Sequence, residues 1–285
     1  SGPKSTVKGK SLAKMATETG PSVLVTGASS GIGAATANLL AGRGFRVCGT
    51  SRDPERAKTR APHIAWVAMD VRDDDSVREG VKRAIDDKGG LDALVCNAGF
   101  GIFGSIEEVP LAAAREQFET NWFGTLRVLR TALPELRRSR SARIAIVGSL
   151  AGRAPIPFQA HYSASKAALD ALALALHNEL YGTGVGVSLI EPGDIRTGFN
   201  DATDFDVVRD SSYGDRVARC REVIERELKI APGPEIVARV ILRALTTRRP
   251  RVRYTVGREA RLVSFARRWL PERLGLRLIR RHFEV

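Results

Sequence analysis

The stretch 23-VLVTGASSGIGAATANLLAGRG-44 decides the fold. Val23, Leu24 and Val25 are apolar at consecutive positions, as a strand covered on both faces must be. Gly27, Gly31 and Gly33 follow in the spacing GxxxGxG, and alanines and leucines at helical spacing come next. A strand, a glycine turn and a helix in that order bring N–H groups of a helix N-terminus close to whatever enters the turn. That is the arrangement a dinucleotide pyrophosphate needs. Thr26, Gly27, Ser29, Ser30, Gly31, Ile32 and Gly33 are the candidate contacts. The alternative is a glycine-rich turn that holds no ligand.

Working outward, short apolar runs recur at 22–27, 46–51, 64–71, 92–99, 143–149, 186–193 and 251–257. Helix-like segments lie between them at 31–43, 54–60, 74–88, 111–138, 160–181 and 235–247. Strand alternating with helix predicts an α/β fold, a doubly wound parallel sheet of about seven strands with helices on both faces. Ligands of such sheets bind at the C-terminal ends of the strands. At the end of the second run, where a site for NAD would offer a carboxylate to the ribose, stand Ser51 and Arg52 in "GTSRDPER". A guanidinium suits a 2′-phosphate, so this spacing favours NADP(H) over NAD(H). Asp53 before Pro54 reads as a helix cap. The plain reading of Arg52 is a solvated surface arginine.

Of the 285 residues, 43% are hydrophobic, ample for one large domain. Cys48, Cys96 and Cys220 are far apart and form no CxxC or Cys/His cluster. Neither a disulfide framework nor a metal site is expected, and a reducing, cytoplasmic setting is. No apolar run approaches the ~20 residues that span a bilayer. Residues 1–20 read as a flexible basic arm; Met15 can be the natural start, with 1–14 an extension or a cloning remnant. The net charge of +13 is uneven: residues 1–20 carry +3 and 248–285 carry twelve arginines against three glutamates, which leaves the core near +1. A near-neutral core does not make a nucleic-acid binder, and the tail is where an anionic partner would act.

The motifs "TGASSGIG" (26–33), "NAG" (97–99), Ser149, "YSASK" (162–166) and "PGDIRT" (192–197) together resemble the short-chain dehydrogenase/reductases, in that family's order and spacing over about residues 21–200. The surroundings are most similar to the branch of 17β-hydroxysteroid and retinol dehydrogenases. The resemblance implies a Rossmann-type single domain over 21–257 and hydride transfer between a carbonyl and an alcohol. It implies that Asp70 and Val71 meet the adenine. Asn97, Ala98 and Gly99 line the cofactor, and Pro192, Gly193, Ile195 and Thr197 meet the nicotinamide. Asn121 holds a water in a proton relay from Lys166, and 198–233 forms a substrate lid.

The chemistry of the pair Tyr162 and Lys166 supports the same reading. A phenol titrates near ~10, and an ammonium one helical turn away favours its phenolate. Lys166 can also bond the nicotinamide ribose. Ser149 can donate to the substrate oxygen from across the phenol, stabilising developing alkoxide charge. The plain alternatives are an exposed lysine beside a half-buried tyrosine and a serine that caps the next turn. A non-catalytic NADP(H) sensor on the same fold would not need all three groups.

Phe100, Ile102, Phe103, Pro155, Phe158 and Phe199 are candidates for an apolar pocket that takes a bulky ketone or secondary alcohol, such as a steroid, retinoid, polyketide or lipid. In the basic extension 258–285, Leu262, Phe265, Ala266 and Trp269 stand at helical spacing with arginines between them. Such a helix can dock over the sheet end or lie peripherally on an anionic membrane. The apolar surface of 111–138 and 160–181 predicts a homodimer, with the tail blocking a tetramer.

Overall fold

The computed structural model describes residues 20–139, 141–197, 211–266 and 269–285. The expectations for 1–19 and for Phe199 lie outside them. Seven parallel strands form one sheet: β1 (Ser22–Val25), β2 (Arg46–Ser51), β3 (Ala65–Ala68), β4 (Ala93–Cys96), β5 (Arg143–Val147), β6 (Gly186–Pro192) and β7 (Arg253–Val256). Their order is β3-β2-β1-β4-β5-β6-β7. The order turns back at β1, which pairs with β2 on one side and with β4 on the other. A crevice opens at such a reversal.

Helices cover both faces. On one face α3 (Asp74–Lys88), α5 (Gly124–Leu136) and α6 (Ala160–Glu179) bury Val81, Leu129 and Leu169 against Leu24, Leu94 and Ile146. On the other, α1 (Gly31–Gly42) and α8 (Glu235–Thr246) bury Leu40 and Ile241 against Val23, Val25 and Val95. Val23, Leu24 and Val25 thus serve two cores in alternation, which is why the sequence offers no polar position there.

Local chemistry sets the ends of the helices. The Asp53 carboxylate accepts from Arg56 N at 3.0 Å and caps α2 (Pro54–Arg60), with Pro54 opening the helix as the sequence suggested. Asp73 caps α3 by accepting from Ser76 N, and Gly89, in the left-handed region at φ +65°, ends it.

The expected helix over 111–138 is a continuous helical run that carries a π-bulge and ends at Leu136. Between α4 (Leu111–Phe118) and α5 the chain forms a π-helical turn, Glu119–Phe123. Three further helices complete the described chain: α7 (Asp215–Ile230), α9 (Arg258–Ala266) and α10 (Glu272–His282). Part of the segment read as a lid is therefore a regular helix, α7.

Candidate active site

A cleft of about 1710 Å³ runs along the C-terminal ends of the strands. It is larger than the ~300–1,000 Å³ of a typical small-ligand pocket, so it can take a dinucleotide and a second molecule.

The glycine turn forms its floor. Gly27 has φ +63°, and a Cβ there would lie 2.9 Å from Ala98 Cα. A Cβ on Gly33 would lie 2.2 Å from the Gly27 carbonyl oxygen. The absence of both side chains lets the turn after β1 pack against the segment after β4. Thr26 Oγ1 accepts from Asn97 N (2.9 Å) and Ala98 N (3.1 Å), and Asn97 Nδ2 donates to the carbonyls of Thr26 (3.0 Å) and Gly27 (3.2 Å). Thr26 and Gly33 are thus buried under the cleft, whereas Gly27, Ser29, Ser30, Gly31, Ile32, Asn97, Ala98 and Gly99 line it. Ser30 precedes α1 in extended conformation without a side-chain bond to the first turn, leaving that helix N-terminus to a ligand.

At one end Ser51, Arg52, Asp70 and Val71 line the rim. Ser51 Oγ bonds the backbone of Asp53. Asp70 takes a forked bond from Arg72, which holds its carboxyl below the usual range and also reaches Glu116 at 2.7 Å. Arg56 and Arg72 line the rim beside Arg52, interleaved with Asp53, Asp70 and Glu116, and Arg72 is paired with the last two. At the other end Pro192, Gly193, Asp194, Ile195 and Thr197 line the cleft. Thr197 Cβ lies 3.4 Å from the place a Cβ of Gly31 would take, so the loop after β6 closes over the start of α1. These edges suit a dinucleotide from adenosine to nicotinamide.

Ser149, Tyr162 and Lys166 converge at the centre. Ser149 follows β5 in extended conformation; its Oγ accepts from Ala151 N at 3.1 Å, and it lies close enough to the Tyr162 phenol to favour its ionised form. It therefore both caps a turn and faces the tyrosine. Lys166, 4% exposed, donates from Nζ to the Val147 carbonyl at 3.0 Å and lies 5.7 Å from the centre of the Tyr162 ring.

Lys166 stands over the ring, and where the pairing had suggested an easily lost proton, burial pushes the Tyr162 phenol up to about 12, with Ser149 opposing the rise and Asp194 adding to it. Burial likewise pushes Lys166 down to about 8.

Asn121 lies in the π-helical turn, 0% exposed and outside the cleft lining. Its Oδ1 accepts from Phe100 N, and its Nδ2 donates to the Phe100 carbonyl and to Ser165 Oγ, all at 3.0 Å. π-turns often mark functional positions, and here the extra residue turns an amide inward onto the loop that carries Phe100.

The apolar pocket differs from expectation. Phe100 lines the main cleft, but Ile102 and Phe103 are buried beneath it. Phe103 packs with Cys220 and Ile224, its ring 6.1 Å from that of Phe158. Pro155 and Phe158 line a separate chamber of about 350 Å³, joined to the cleft through Ile156 and Ile279. Spacing in the sequence could not separate a residue under the pocket from one on its wall.

The far wall comes from segments no motif marked: Ile224 and Leu228 on α7, Leu262, Val263 and Ala266 on α9, and Leu278, Ile279 and Phe283 on or after α10. α10 is latched to α7 by His282 to Glu227 (2.9 Å), Arg226 to Glu284 (3.3 Å) and Arg219 Nε to the Glu284 carbonyl (3.0 Å). The helical spacing of Leu262, Phe265, Ala266 and Trp269 was visible in the sequence; the residues of α7 that face this part of the chain were not.

Behind the site, Glu191 on β6 is fully buried and paired with Arg253, and Arg153 approaches at 3.8 Å. Arg253 also binds Asp170 on α6 at 2.8 Å. Burial pushes the Glu191 carboxyl up against the pull of both arginines. The sequence reading did not single out this network, because nothing in "LIEPG" says what faces the glutamate.

The fold and site are those of an oxidoreductase working between an alcohol and a carbonyl with a nicotinamide cofactor. The chain belongs to the short-chain dehydrogenase/reductase family: the family described as "short chain dehydrogenase" matches residues 21–206. It is 33% identical over 255 residues to a 3-ketodihydrosphingosine reductase of Bacteroides thetaiotaomicron, covering 88% of this chain and 94% of that one. It is 35% identical over 256 residues to human 17-beta-hydroxysteroid dehydrogenase type 1, covering 81% and 76%. A short chain dehydrogenase of Burkholderia cenocepacia, solved in complex with NADP, superposes with a TM-score of 0.74 at 26% identity over 92% of this chain and 98% of its own.

Proposed function

We propose that the protein is an NADP(H)-dependent reductase of a bulky apolar ketone or aldehyde, with Tyr162 as proton donor. The carrying observation is the convergence of Ser149, Tyr162 and Lys166 in one cleft whose far wall is apolar. When bound, the nicotinamide supplies or accepts the hydride. Tyr162 is protonated at neutral pH and gives its proton to the substrate oxygen. Ser149 donates to that oxygen and stabilises its charge as it grows. Lys166 holds the nicotinamide ribose beneath the phenol, and Asn121 positions the Phe100 loop and a water on the path from Lys166 to solvent. Arg52, with Arg56 and Arg72 beside it, holds a 2′-phosphate.

A high phenol pKa suits the reducing direction, because an acid is needed there and a base in the reverse. The similar proteins named for a steroid and for a ketosphingolipid support a substrate that is large and apolar. A non-catalytic sensor would need neither Ser149 and Tyr162 together in the cleft nor the buried lysine. The protein acts as a homodimer through α4, α5 and α6, where Leu111, Phe123, Leu174 and, just past α6, Tyr181 are exposed. Its three cysteines, all free and buried, suit a reducing compartment.

The test is oxidation of NADPH or NADH by purified protein with ketones of increasing alkyl length, followed at the reduced-nicotinamide band. Turnover with NADPH that rises with chain length is expected. Activity confined to small polar carbonyls would overturn the substrate class, and a preference for NADH the cofactor.

A further inference from the structure

The basic tail remains unused by the chemistry, and its helices present two apolar faces. One lines the cleft. The other is exposed: Leu262, at the lip of the cleft, and Phe265 on α9, and Trp269 beyond it, are 68%, 68% and 73% exposed at spacings i, i+3 and i+7. Ala260, on the opposite side of α9, is buried. α9 thus docks over the end of the sheet, one of the two placements expected, and leaves the stripe of Leu262, Phe265 and Trp269 exposed. The stripe is also continuous with the site, because Leu262 and its neighbours Val263, Ala266 and Leu270 line the cleft.

Charge selects what covers the stripe. Residues 258–285 carry eight arginines against three glutamates, and Arg261, Arg273, Arg277, Arg280 and Arg281 are exposed. A second copy of the chain would set like charges against each other. A nucleic acid would satisfy the arginines but leave Phe265 and Trp269 wet. An anionic bilayer satisfies both, with aromatic and aliphatic side chains in the acyl boundary and guanidinium groups among the phosphates.

We infer that α9 and α10 form a membrane-docking element that seats the mouth of the cleft on an anionic bilayer, so that an apolar carbonyl passes from lipid to the site along Leu262, Val263 and Ala266. Docking stands on the surface alone; only the passage of substrate rests on the function proposed above.

Vesicle co-sedimentation tests it, with phosphatidylcholine alone and with phosphatidylglycerol added. The full chain is expected to sediment with the anionic vesicles, less so as salt rises, with a blue shift of tryptophan fluorescence that Trp269→Phe removes. The double variant Phe265→Ser, Trp269→Ser should lose at least tenfold in vesicle affinity. It should keep wild-type turnover of a water-soluble ketone and lose turnover of a long-chain ketone presented in vesicles. Absence of anionic-vesicle binding at low salt, equal binding by the double variant, or preference for duplex DNA over vesicles would each overturn the docking. Loss of all turnover in the wild type, with vesicle binding intact, would count against the functional reading and leave docking standing.

Discussion

Lys166 lies over the ring of Tyr162, 5.7 Å from its centre, with its ammonium bound to the Val147 carbonyl and not to the phenolic oxygen. The pair is thus a buried cation above a half-buried acid, each with its proton affinity shifted by lost solvent: the lysine down to about 8, the tyrosine up to about 12.

Tyr162→Phe should reduce turnover by at least ~10²-fold, the usual scale of a lost general acid, and leave cofactor affinity nearly unchanged. In the wild type, carbonyl reduction should hold level through neutral pH while alcohol oxidation climbs into the alkaline range, where the phenolate forms. Initial rates in both directions from pH 6 to 10 decide this. An oxidation rate that peaks below pH 8 would contradict a raised phenol.

The buried lysine should cost stability. Its folded value near 8 lies below its usual 10.5, so the unfolded chain binds the proton more tightly. The penalty is complete below pH 8 and fades between 8 and 10.5. A shift of that size corresponds to about 3 kcal/mol, offset by about 1 kcal/mol for the bond to Val147. Lys166→Met should therefore melt above wild type at pH 7 while being inactive, with the gap shrinking at pH 9.5. Thermal melts of both proteins at the two pH values test the sign.

Replacing Arg52 by Asp puts a carboxylate where a 2′-phosphate would sit and offers it to a bare ribose. The preference for NADP(H) should move toward NAD(H) by about 2–3 kcal/mol, the scale of a hydrogen bond to a charged group. Binding constants for both cofactors measure it. A wild type that already prefers NAD(H) would remove the phosphate role of the whole rim, Arg56 and Arg72 included.

Gly33→Ala should be severe although Gly33 lies beneath the cleft and does not line it. Its Cβ would meet the Gly27 carbonyl oxygen at 2.2 Å and Asn97 Nδ2 at 2.5 Å. Forced overpacking costs about 1–3 kcal/mol, and the displaced turn should weaken cofactor binding as well. Denaturant melts and cofactor titration should both respond; a change in neither would mean the turn is freely adjustable.

Arg253→Met should destabilise by about 3–5 kcal/mol, the range for stripping a partner from a buried ion pair, because it leaves Glu191 and Asp170 without their shared cation. Adding Glu191→Leu should recover much of the loss. If the single variant is as stable as wild type in urea, water must reach Glu191.

The parallel sheet was legible because β1, β4, β5 and β6 are buried on both faces and cannot hide their apolar runs. The catalytic set was legible because its spacing survives folding: Tyr162 and Lys166 share a helix, and Ser149 sits just past a strand end. Three features were not. The π-turn at Asn121 leaves no mark in composition. The Glu191–Arg253–Asp170 network joins residues up to 83 positions apart. The apolar wall is built from α7, α9 and α10, whose partners in space are distant in the chain, so amphipathic spacing showed two-faced helices without showing what either face meets.

The wall and the chemistry come from different stretches of chain. Ser149, Tyr162 and Lys166 lie within 18 consecutive positions, whereas much of the apolar wall comes from the last 28. The ion pairs that latch α10 to α7 lie between partly exposed groups and contribute little individually. Descent with modification can therefore rewrite the terminal segment, and with it the range of molecules accepted, without disturbing a hydride-transfer centre completed more than ninety residues earlier. A site organised in this way can change what it admits without changing what it does to it.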